Sequence, residues 1–370
     1  MRAGAKFVSI LGVVFCALLL PLRAAAGPTL LFEPGSGRVL YAEDADDQWH
    51  PASLTKIMTS YLTFQALKAG KLKLDTAIPY SEVAHKQPPS KIGLPVGATI
   101  SLDSALQAVI VKSANDIAVA LAEAVGGSEA GFVEMMNATA RRLGMTRTVF
   151  RNPHGLSAPE QVSTARDLAR LSMAVVREFP EYAHYWAMQQ IQVGALVITG
   201  HNNLFKTMEG TDGFKTGFIC DSGYNIVASA TRNGTRLMAV VLGEMSAADR
   251  NQRAQELIEH GYATVGWKVL LGAKDTVNSM RAAAGAKDAA SIRNSVVSIE
   301  CNNRRMARVA AATKKAKARG KAAAKKAAER PAAAPAGAPG GKAPAIQAKS
   351  AQSQSASPPA PAAAKAQGVQ

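Results

Sequence analysis

Residues 51–59 read Pro-Ala-Ser-Leu-Thr-Lys-Ile-Met-Thr and open a run of apolar residues at helical spacing. The pattern predicts a helix over residues 53–69, ending before Gly70. Ser53 and Lys56 lie three apart, so both side chains fall on one face of that helix and can enter one cleft. A serine becomes a good nucleophile when a neighbour accepts its proton, and a lysine can do this once its pKa is lowered. The segment therefore predicts Ser53 as nucleophile and Lys56 as base.

A second polar patch, Ser113-Ala-Asn115, interrupts an apolar stretch over residues 102–125. The interruption predicts two helices with a short connection. In such a turn, a hydroxyl and an amide two residues apart can face the same side, one passing protons and the other holding a substrate carbonyl. Plain helix capping explains the same residue types. Alone, this patch leaves both interpretations open.

A third patch, Lys215-Thr216-Gly217, follows Gly213-Phe214 and is typical of an extended segment. Glycine in such a segment indicates a place where the backbone approaches a ligand closely. Lys215 and Thr216 suit a substrate carboxylate, by charge and by hydrogen bond. Lys215 can also supply the positive charge that lowers the pKa of Lys56. A Lys-Thr-Gly tripeptide alone carries little evidence of function.

Together, and in this order, the three patches resemble the S-x-x-K, S-x-N and K-T-G signature of the D-alanyl-D-alanine carboxypeptidases, the low-molecular-mass penicillin-binding proteins. The resemblance covers about residues 27–265 and includes Asn152-Pro-His-Gly155 and Ser163-Thr-Ala-Arg-Asp167. It implies an α+β, β-lactamase/transpeptidase-like fold: an antiparallel sheet with helices on both faces and a helical subdomain. We expect no cofactor and no metal, since the sequence shows no Cys/His cluster with metal-ligand spacing.

The same resemblance implies an acyl-serine cycle on peptidoglycan stem peptides. Ser53 would attack the carbonyl of the penultimate D-Ala, D-Ala would leave, and water would release the trimmed peptide. Ser113 would relay protons beside Asn115, and the backbone N–H groups of Ser53 and Phe218 would form the oxyanion hole. Gly217 would lie beside the substrate with the rest of its motif. β-Lactam antibiotics would acylate the same serine as covalent inhibitors.

Three further residues are assigned by position. Arg250 matches, by its distance ahead of the final helical run, a basic residue that in relatives helps to hold the terminal carboxylate; Arg253 is its competitor. His154 and Arg166 are predicted to be structural.

Three other functions share parts of this pattern. A D,D-endopeptidase that cuts cross-links uses the same chemistry. A β-lactamase needs a carboxylate to activate the deacylating water, and Glu134 lies in the right interval but within a periodic helical run. A wall- or membrane-binding protein with an inactive acyltransferase domain is the non-enzymatic alternative. Retention of all three motifs argues against it.

The two ends of the chain are unlike the middle. Residues 1–26 have a basic start, an apolar run and three alanines at the end, which is typical of a secretory signal, so we expect a periplasmic or other extracytoplasmic protein. Residues 304–370 are rich in Ala, Lys and Pro, lack aromatic residues and carry most of the formal net charge of +16. We expect this tail to be disordered.

The tail has two open interpretations. It is either an electrostatic contact with anionic membrane or wall polymers, which would make the protein peripheral to the inner membrane, or a solvated linker. Export argues against a nucleic-acid partner. Residues 266–303 form a short ambiguous extension with too few strand signals for the β-rich second domain of the best-known relatives. Pairing of Cys220 with Cys301 and the oligomeric state are left open.

The remaining pattern predicts elements around the motifs. These are strands at 29–32 and 39–41 about a turn, helices at 132–143 and at 164–177 capped by Ser163, a strand at 190–198, a hairpin of 225–230 and 237–242 across Asn233-Gly234, and a helix at 248–262.

Overall fold

Residues 27–193, 196–270, 275–296 and 301 are described by the computed structural model. The predicted signal peptide and the predicted tail lie outside these residues. No helix within the described ranges is both long and apolar enough to cross a membrane. The strands are β1 (Thr29–Phe32), β2 (Val39–Glu43), β3 (Ala77–Pro79), β4 (Thr99–Ser101), β5 (Gln190–Val193), β6 (Leu196–Thr199), β7 (Thr211–Ile219), β8 (Gly223–Arg232) and β9 (Thr235–Glu244). The helices are α1 (Lys56–Lys68), α2 (Glu82–Lys86), α3 (Leu102–Gln107), α4 (Asn115–Gly126), α5 (Glu129–Arg142), α6 (Ala165–Glu178), α7 (Ala183–Ala187), α8 (Leu204–Thr207), α9 (Ala247–Leu270) and α10 (Arg293–Val296).

The central sheet has five antiparallel strands in the order β2-β1-β9-β8-β7. β8 and β9 form a hairpin across Asn233-Gly234, where both residues have positive φ (48° and 75°), as the sequence predicts. β7 lies at the edge and pairs only with β8 among the described strands. The Lys215-Thr-Gly217 motif lies on this edge strand, so one side of its backbone is open to the cleft described below.

Alternate residues of the strands supply two hydrophobic layers, because successive side chains of a strand point to opposite faces. One layer packs against α6, belongs to the same hydrophobic cluster as α1 and α4, and contains Leu30, Phe32, Val227, Met238 and Val240. The other contains Leu31, Ile226, Ala239 and Val241 and packs against α9, which contributes Ile258. Helices α2 to α5 and the small β3-β4 ribbon form the helical subdomain. The α+β fold with helices on both faces of an antiparallel sheet is confirmed.

Several predicted boundaries were wrong. The cap of α6 is Thr164, whose side chain accepts from the Asp167 N–H, while Ser163 pairs its backbone with Trp49. Residues 190–198 form two short antiparallel strands, β5 and β6, rather than one. The final helix continues to Leu270. In the first two cases tertiary pairing, which the local pattern does not carry, decided the boundary.

Residues 275–296, here called the strap, run back along the domain and meet the edge of the sheet through one isolated antiparallel bridge, between Arg38 and Thr276 beside β2. Val277 is fully buried, and its N–H donates to the Gly37 carbonyl. Further along, Arg293 forms an ion pair with Asp221 in the β7-β8 turn. Next to that turn, Cys220 and Cys301 form a disulfide with a Cα–Cα distance of 6.0 Å. The described part of the extension that the sequence left ambiguous therefore packs on the domain that contains the sheet.

Candidate active site

All three motifs meet at one open cleft of about 950 Å³. It lies between β7, the start of α1, the connection from α3 to α4 and the start of α9. The predicted site residues that line it are Ser53, Ser113, Asn115, Thr216, Gly217, Phe218 and Arg250. Lys56 and Lys215 are 0% and 2% exposed, so they are buried beside it. The structure thus brings together every site residue that the sequence predicted.

Ser53 lies in a short 3-10 turn, Ala52–Thr55, directly before α1, rather than in the α-helix itself. Two glycines allow other segments to press on this turn. A Cβ at Gly155 would lie 1.8 Å from the Ala52 carbonyl oxygen, and one at Gly217 would lie 3.0 Å from the Ser53 nitrogen. Gly217 is therefore needed for approach to the backbone of Ser53, whereas the sequence suggested approach to a ligand. Contacts from both sides fix the position of the serine.

Lys56 is in contact with Ser53. Its Nζ lies 3.1 Å from Ser53 Oγ, and it donates hydrogen bonds to Asn115 Oδ1 (2.8 Å) and to the His154 carbonyl. Burial, together with the nearby charge of Lys215, holds the pKa of Lys56 well below its usual range, while Asp116 acts in the opposite direction. A lysine whose pKa is lowered in this way can be a neutral amine and accept the serine proton.

Lys215 and Arg250 supply positive charge to the β7 side of the cleft. Lys215 Nζ donates to the Thr216 carbonyl at 3.1 Å, and burial with the charge of Arg250 lowers its pKa to about 7. Arg250 is 4% exposed and donates to Asn251 Oδ1 at 2.8 Å. Burial lowers the pKa of Arg250 to about 10. Its competitor Arg253 forms an ion pair with Glu43 away from the cleft.

The second motif does not serve as a helix cap. α4 begins at Asn115, and its cap position is Ala114, which makes no side-chain cap. Ser113 has a left-handed backbone (φ 61°), and its buried Oγ has no hydrogen-bond partner within the described structure. Residues with such strained backbone conformations cluster at functional sites, where the surrounding structure holds them in place. Asn115 holds Lys56 with one end of its amide and donates to the Pro88 carbonyl (2.9 Å) with the other.

Residues 88–93 form a cleft wall that the sequence did not reveal. Pro89, Ser90 and Lys91 line the cleft. The wall is held by Asp116, whose carboxylate accepts from the N–H groups of Ile92 and Gly93. The polar Asn115-Asp116 pair at the start of an apolar helix was the available signal, but its partners lie more than twenty residues earlier in the chain.

His154 and Arg166 are not among the residues that line the cleft. Burial and the charge of Lys56 lower the pKa of His154 to about 3, so its ring is neutral, and only its backbone carbonyl contacts Lys56. Arg166 forms a buried ion pair with Asp46 (2.7 Å) and donates to the carbonyl of Met280 in the strap. Within the described ranges, no three His, Cys, Asp or Glu side chains lie close enough to hold a metal ion.

Comparison with known proteins agrees with this geometry. The family model for D-alanyl-D-alanine carboxypeptidase matches residues 19–246. The D-alanyl-D-alanine carboxypeptidase DacC of Escherichia coli K12 is 38% identical over 240 residues, covering 63% of this chain and 60% of the relative. DacA of Haemophilus influenzae is 35% identical over 274 residues, covering 72% of this chain and 70% of the relative. The matched part of the chain thus spans 60–70% of the length of these two relatives.

Solved structures show the same relationship. Penicillin binding protein 5 from Haemophilus influenzae superposes with a TM-score of 0.62 at 35% identity, covering 64% of this chain and 71% of that one. The cefotaxime-bound penicillin-binding protein D2 from Listeria monocytogenes superposes with a TM-score of 0.59 at 30% identity, covering 64% and 97%. The chain belongs to the D-alanyl-D-alanine carboxypeptidase family of penicillin-binding proteins.

Proposed function

We propose that the chain is a serine-type carboxypeptidase that removes the terminal D-Ala from peptidoglycan stem peptides through an acyl-Ser53 intermediate. One observation carries the proposal: Lys56 is fully buried, lies 3.1 Å from Ser53 Oγ, and has its pKa lowered by burial and by Lys215. An exposed lysine would be protonated at neutral pH and could not accept a proton. Family membership and the β-lactam-bound relative support the same chemistry.

The first half of the reaction forms an ester. Ser53 Oγ attacks the carbonyl carbon of the penultimate D-Ala, and the hydroxyl proton passes to Lys56. Backbone N–H groups of Ser53 and Phe218 stabilise the resulting oxyanion, and such donors are typically worth about 3–4 kcal/mol each. The C–N bond then breaks, and the leaving D-Ala amine takes a proton through Ser113, whose unpartnered Oγ is free for this relay.

The second half regenerates the enzyme. Water attacks the acyl-Ser53 ester and the bond between the acyl carbon and Ser53 Oγ breaks. One proton of the water passes to Ser53 Oγ, and the other is lost when the new acid of the trimmed peptide ionises to a carboxylate. Lys215, Thr216 and Arg250 hold the terminal carboxylate of the incoming peptide by charge and hydrogen bond. Because the substrate is a cell-wall peptide and the chain begins with a predicted secretory signal, we place the reaction outside the cytoplasm.

The alternatives make different demands on the site. A β-lactamase needs a carboxylate beside the acyl-enzyme, but Glu134 is an exposed residue of α5 and no Asp or Glu occurs among the described residues that line the cleft. A D,D-endopeptidase needs only the machinery already present and differs in the substrate that it accepts.

The test uses purified protein and its Ser53→Ala variant with two muropeptides, a monomer ending in D-Ala-D-Ala and a cross-linked dimer. Mass spectrometry follows D-Ala release. We expect release from the monomer by the unmodified protein and none by the variant. Cleavage of the dimer alone would move the assignment to endopeptidase. If correctly folded protein turned over neither substrate, both the carboxypeptidase and the endopeptidase assignments would be rejected.

A further inference from the structure

Trp186, a residue of α7, lies among the elements that carry the three motifs. Its ring stacks on that of Phe214 in β7, with a centroid distance of 3.9 Å and an interplanar angle of 14°. It also meets the ring of Phe64 in α1 in a T-shaped contact, with the centroids 6.2 Å apart. With residues 110–111, in the segment that leads to Ser113, it lines a cavity of about 20 Å³. One side chain thus borders the elements of the S-x-x-K, S-x-N and K-T-G motifs.

The stack supports a strand that has a single neighbour, since β7 pairs only with β8 among the described strands. Gly213 lets α7 approach β7, because a Cβ at this position would lie 3.3 Å from Trp186 Cβ. The Asn202 side chain donates to the Gly213 carbonyl at 3.2 Å and holds the same point. Alternate side chains of a strand share a face, so Phe214 and Thr216 lie on one side of β7, and both line the cavity beside Trp186. Trp186 therefore supports the face of β7 that carries Thr216.

The indole acts through its rings and not through its N–H group. Trp186 is 2% exposed, and its Nε1 has no hydrogen-bond partner among the described residues. A buried tryptophan N–H usually finds a partner, and leaving one unpaired costs stability. A phenylalanine would avoid that cost, but its smaller ring would cover less of the space between α1, β7 and residues 110–111. The size of the indole is therefore the property that this position uses.

We propose that Trp186 is a positioning residue that holds Lys215 and Thr216 at the distance from Ser53 that acylation requires. This rests on the proposed function, in which Lys215 and Thr216 hold the terminal carboxylate of the peptide. Trp186 is not among the residues that line the cleft, so it acts through Phe214, the residue before Lys215. A displacement of about 1 Å in a group that positions a substrate can lower the rate roughly 10²-fold. Loss of this packing should therefore reduce the rate as well as the stability.

Two large-to-small variants separate positioning from stability. Trp186→Leu removes the stack, and Phe132→Leu removes a fully buried ring of α5 beside Gly126, at the opposite end of α4 from Asn115. Both should lower the free energy of unfolding in urea. Only Trp186→Leu should lower kcat/KM for D-Ala release from a peptide ending in D-Ala-D-Ala, by roughly ten- to hundredfold, at a temperature where both variants are folded. Trp186→Phe keeps a stacked ring and should restore most of the rate.

The pH profile gives a second readout. Burial and the charge of Arg250 lower the pKa of Lys215 to about 7, so kcat/KM should decline above that pH as Lys215 loses its charge; the other buried amine beside it is Lys56. Looser packing in Trp186→Leu would admit water and raise the pKa of Lys215, moving the midpoint of the decline up by about 0.5–1 pH unit. Phe132→Leu should leave the midpoint unchanged. A purely structural role for Trp186 would lower stability without moving it.

Phe214→Leu removes the same stack from the other side. It should show the same loss of rate, and Trp186→Leu/Phe214→Leu should be little slower than either single variant, because the two residues act as a unit. Phe214→Leu also carries the test if Trp186→Leu does not fold.

Acylation by benzylpenicillin in the same variants distinguishes this inference from the proposed function. If the unmodified protein released no D-Ala, the carboxypeptidase would be rejected, while acylation slowed in Trp186→Leu and not in Phe132→Leu would still support the positioning role. Folded Trp186→Leu or Phe214→Leu that matched Phe132→Leu in acylation rate, in kcat/KM and in the midpoint of the pH profile would overturn the inference.

Discussion

The floor of the cleft, formed by the buried Lys56 and Lys215, and the strap hold their charged groups in opposite ways. At the floor, Lys56 and Lys215 are buried amines with no carboxylate in hydrogen-bond contact among the described residues, and both pKa values are lowered. Along the strap, charges are paired: Arg293 contacts Asp221, and Arg166, which braces the strap, contacts Asp46. Burial lowers the pKa values of these amines at a cost in stability, whereas a buried ion pair matters for stability because removal of one partner leaves the other charge uncompensated.

This difference separates two kinds of variant. Changes at the floor should alter the rate of acylation with little loss of folding free energy. Changes at the strap should alter folding free energy with little effect on the rate. A residue that affects both equally would show that the two regions are coupled through the β7-β8 turn, where Asp221 and Cys220 join the strap to the end of the motif strand.

The largest effect is expected from Lys56→Met. Loss of the base should slow acylation by a penicillin roughly 10²–10⁴-fold, the usual contribution of a positioned proton acceptor. Stability to urea should change less than in Arg166→Met, because removal of a desolvated amine offsets the loss of its hydrogen bonds to Asn115 and the His154 carbonyl. Stopped-flow acylation and urea unfolding measure the two quantities. Lys73→Met, at an exposed position, is the control. Rapid acylation of folded Lys56→Met would contradict the assignment of the base.

Arg166→Met should show the reverse of Lys56→Met: a lower free energy of unfolding and a nearly unchanged acylation rate. The variant leaves Asp46 buried without its partner, and breaking a buried pair destabilises by roughly 3–5 kcal/mol. Because Arg166 contacts the strap and not the cleft, acylation of the folded fraction should stay within about twofold of the unmodified rate. Urea unfolding and acylation at low temperature test this. A large loss of rate with no loss of stability would place Arg166 in the catalytic machinery.

A smaller effect is expected from pH. The pKa of Lys215 is lowered to about 7, so this group loses its charge as pH rises through that value. Since kcat/KM reports groups of the free enzyme, kcat/KM for a D-Ala-D-Ala peptide should decline above about pH 7, by no more than about tenfold per pH unit. Lys215→Arg keeps the charge and should remove the decline. An unchanged decline in that variant would assign the titration to another group.

At the acid end, protonation of Lys56 should stop acylation at a pH well below the usual lysine pKa.

The floor was predictable from the sequence because its chemistry is carried by short patterns. Ser53 and Lys56 are adjacent on one turn, and the polar break at Ser113-Ala-Asn115 stands out from the apolar residues around it. The Asn233-Gly234 hairpin was predictable for the same reason, since its positive φ angles restrict the residue types.

The strap and the 88–93 wall were not predictable, because their contacts join irregular backbone to distant side chains. Asp116 binds the N–H groups of Ile92 and Gly93, and Asp46 binds that of Ala283, so no local periodicity records either pairing. The close approach of Gly155 and Gly217 to the turn that carries Ser53 likewise depends on tertiary structure, which the local sequence does not record. The sequence indicates the candidate reactive groups, while long-range contacts fix their positions.

The most direct test of the account is to locate the acylated residue. Protein treated with benzylpenicillin is digested and analysed by mass spectrometry, alongside Ser53→Ala and Lys56→Met. The account predicts one penicilloyl adduct on the peptide that contains Ser53, none in Ser53→Ala, and slow formation in Lys56→Met. An adduct on another residue, or one that persists in Ser53→Ala, would contradict the central claim that Ser53 is the nucleophile and buried Lys56 its base.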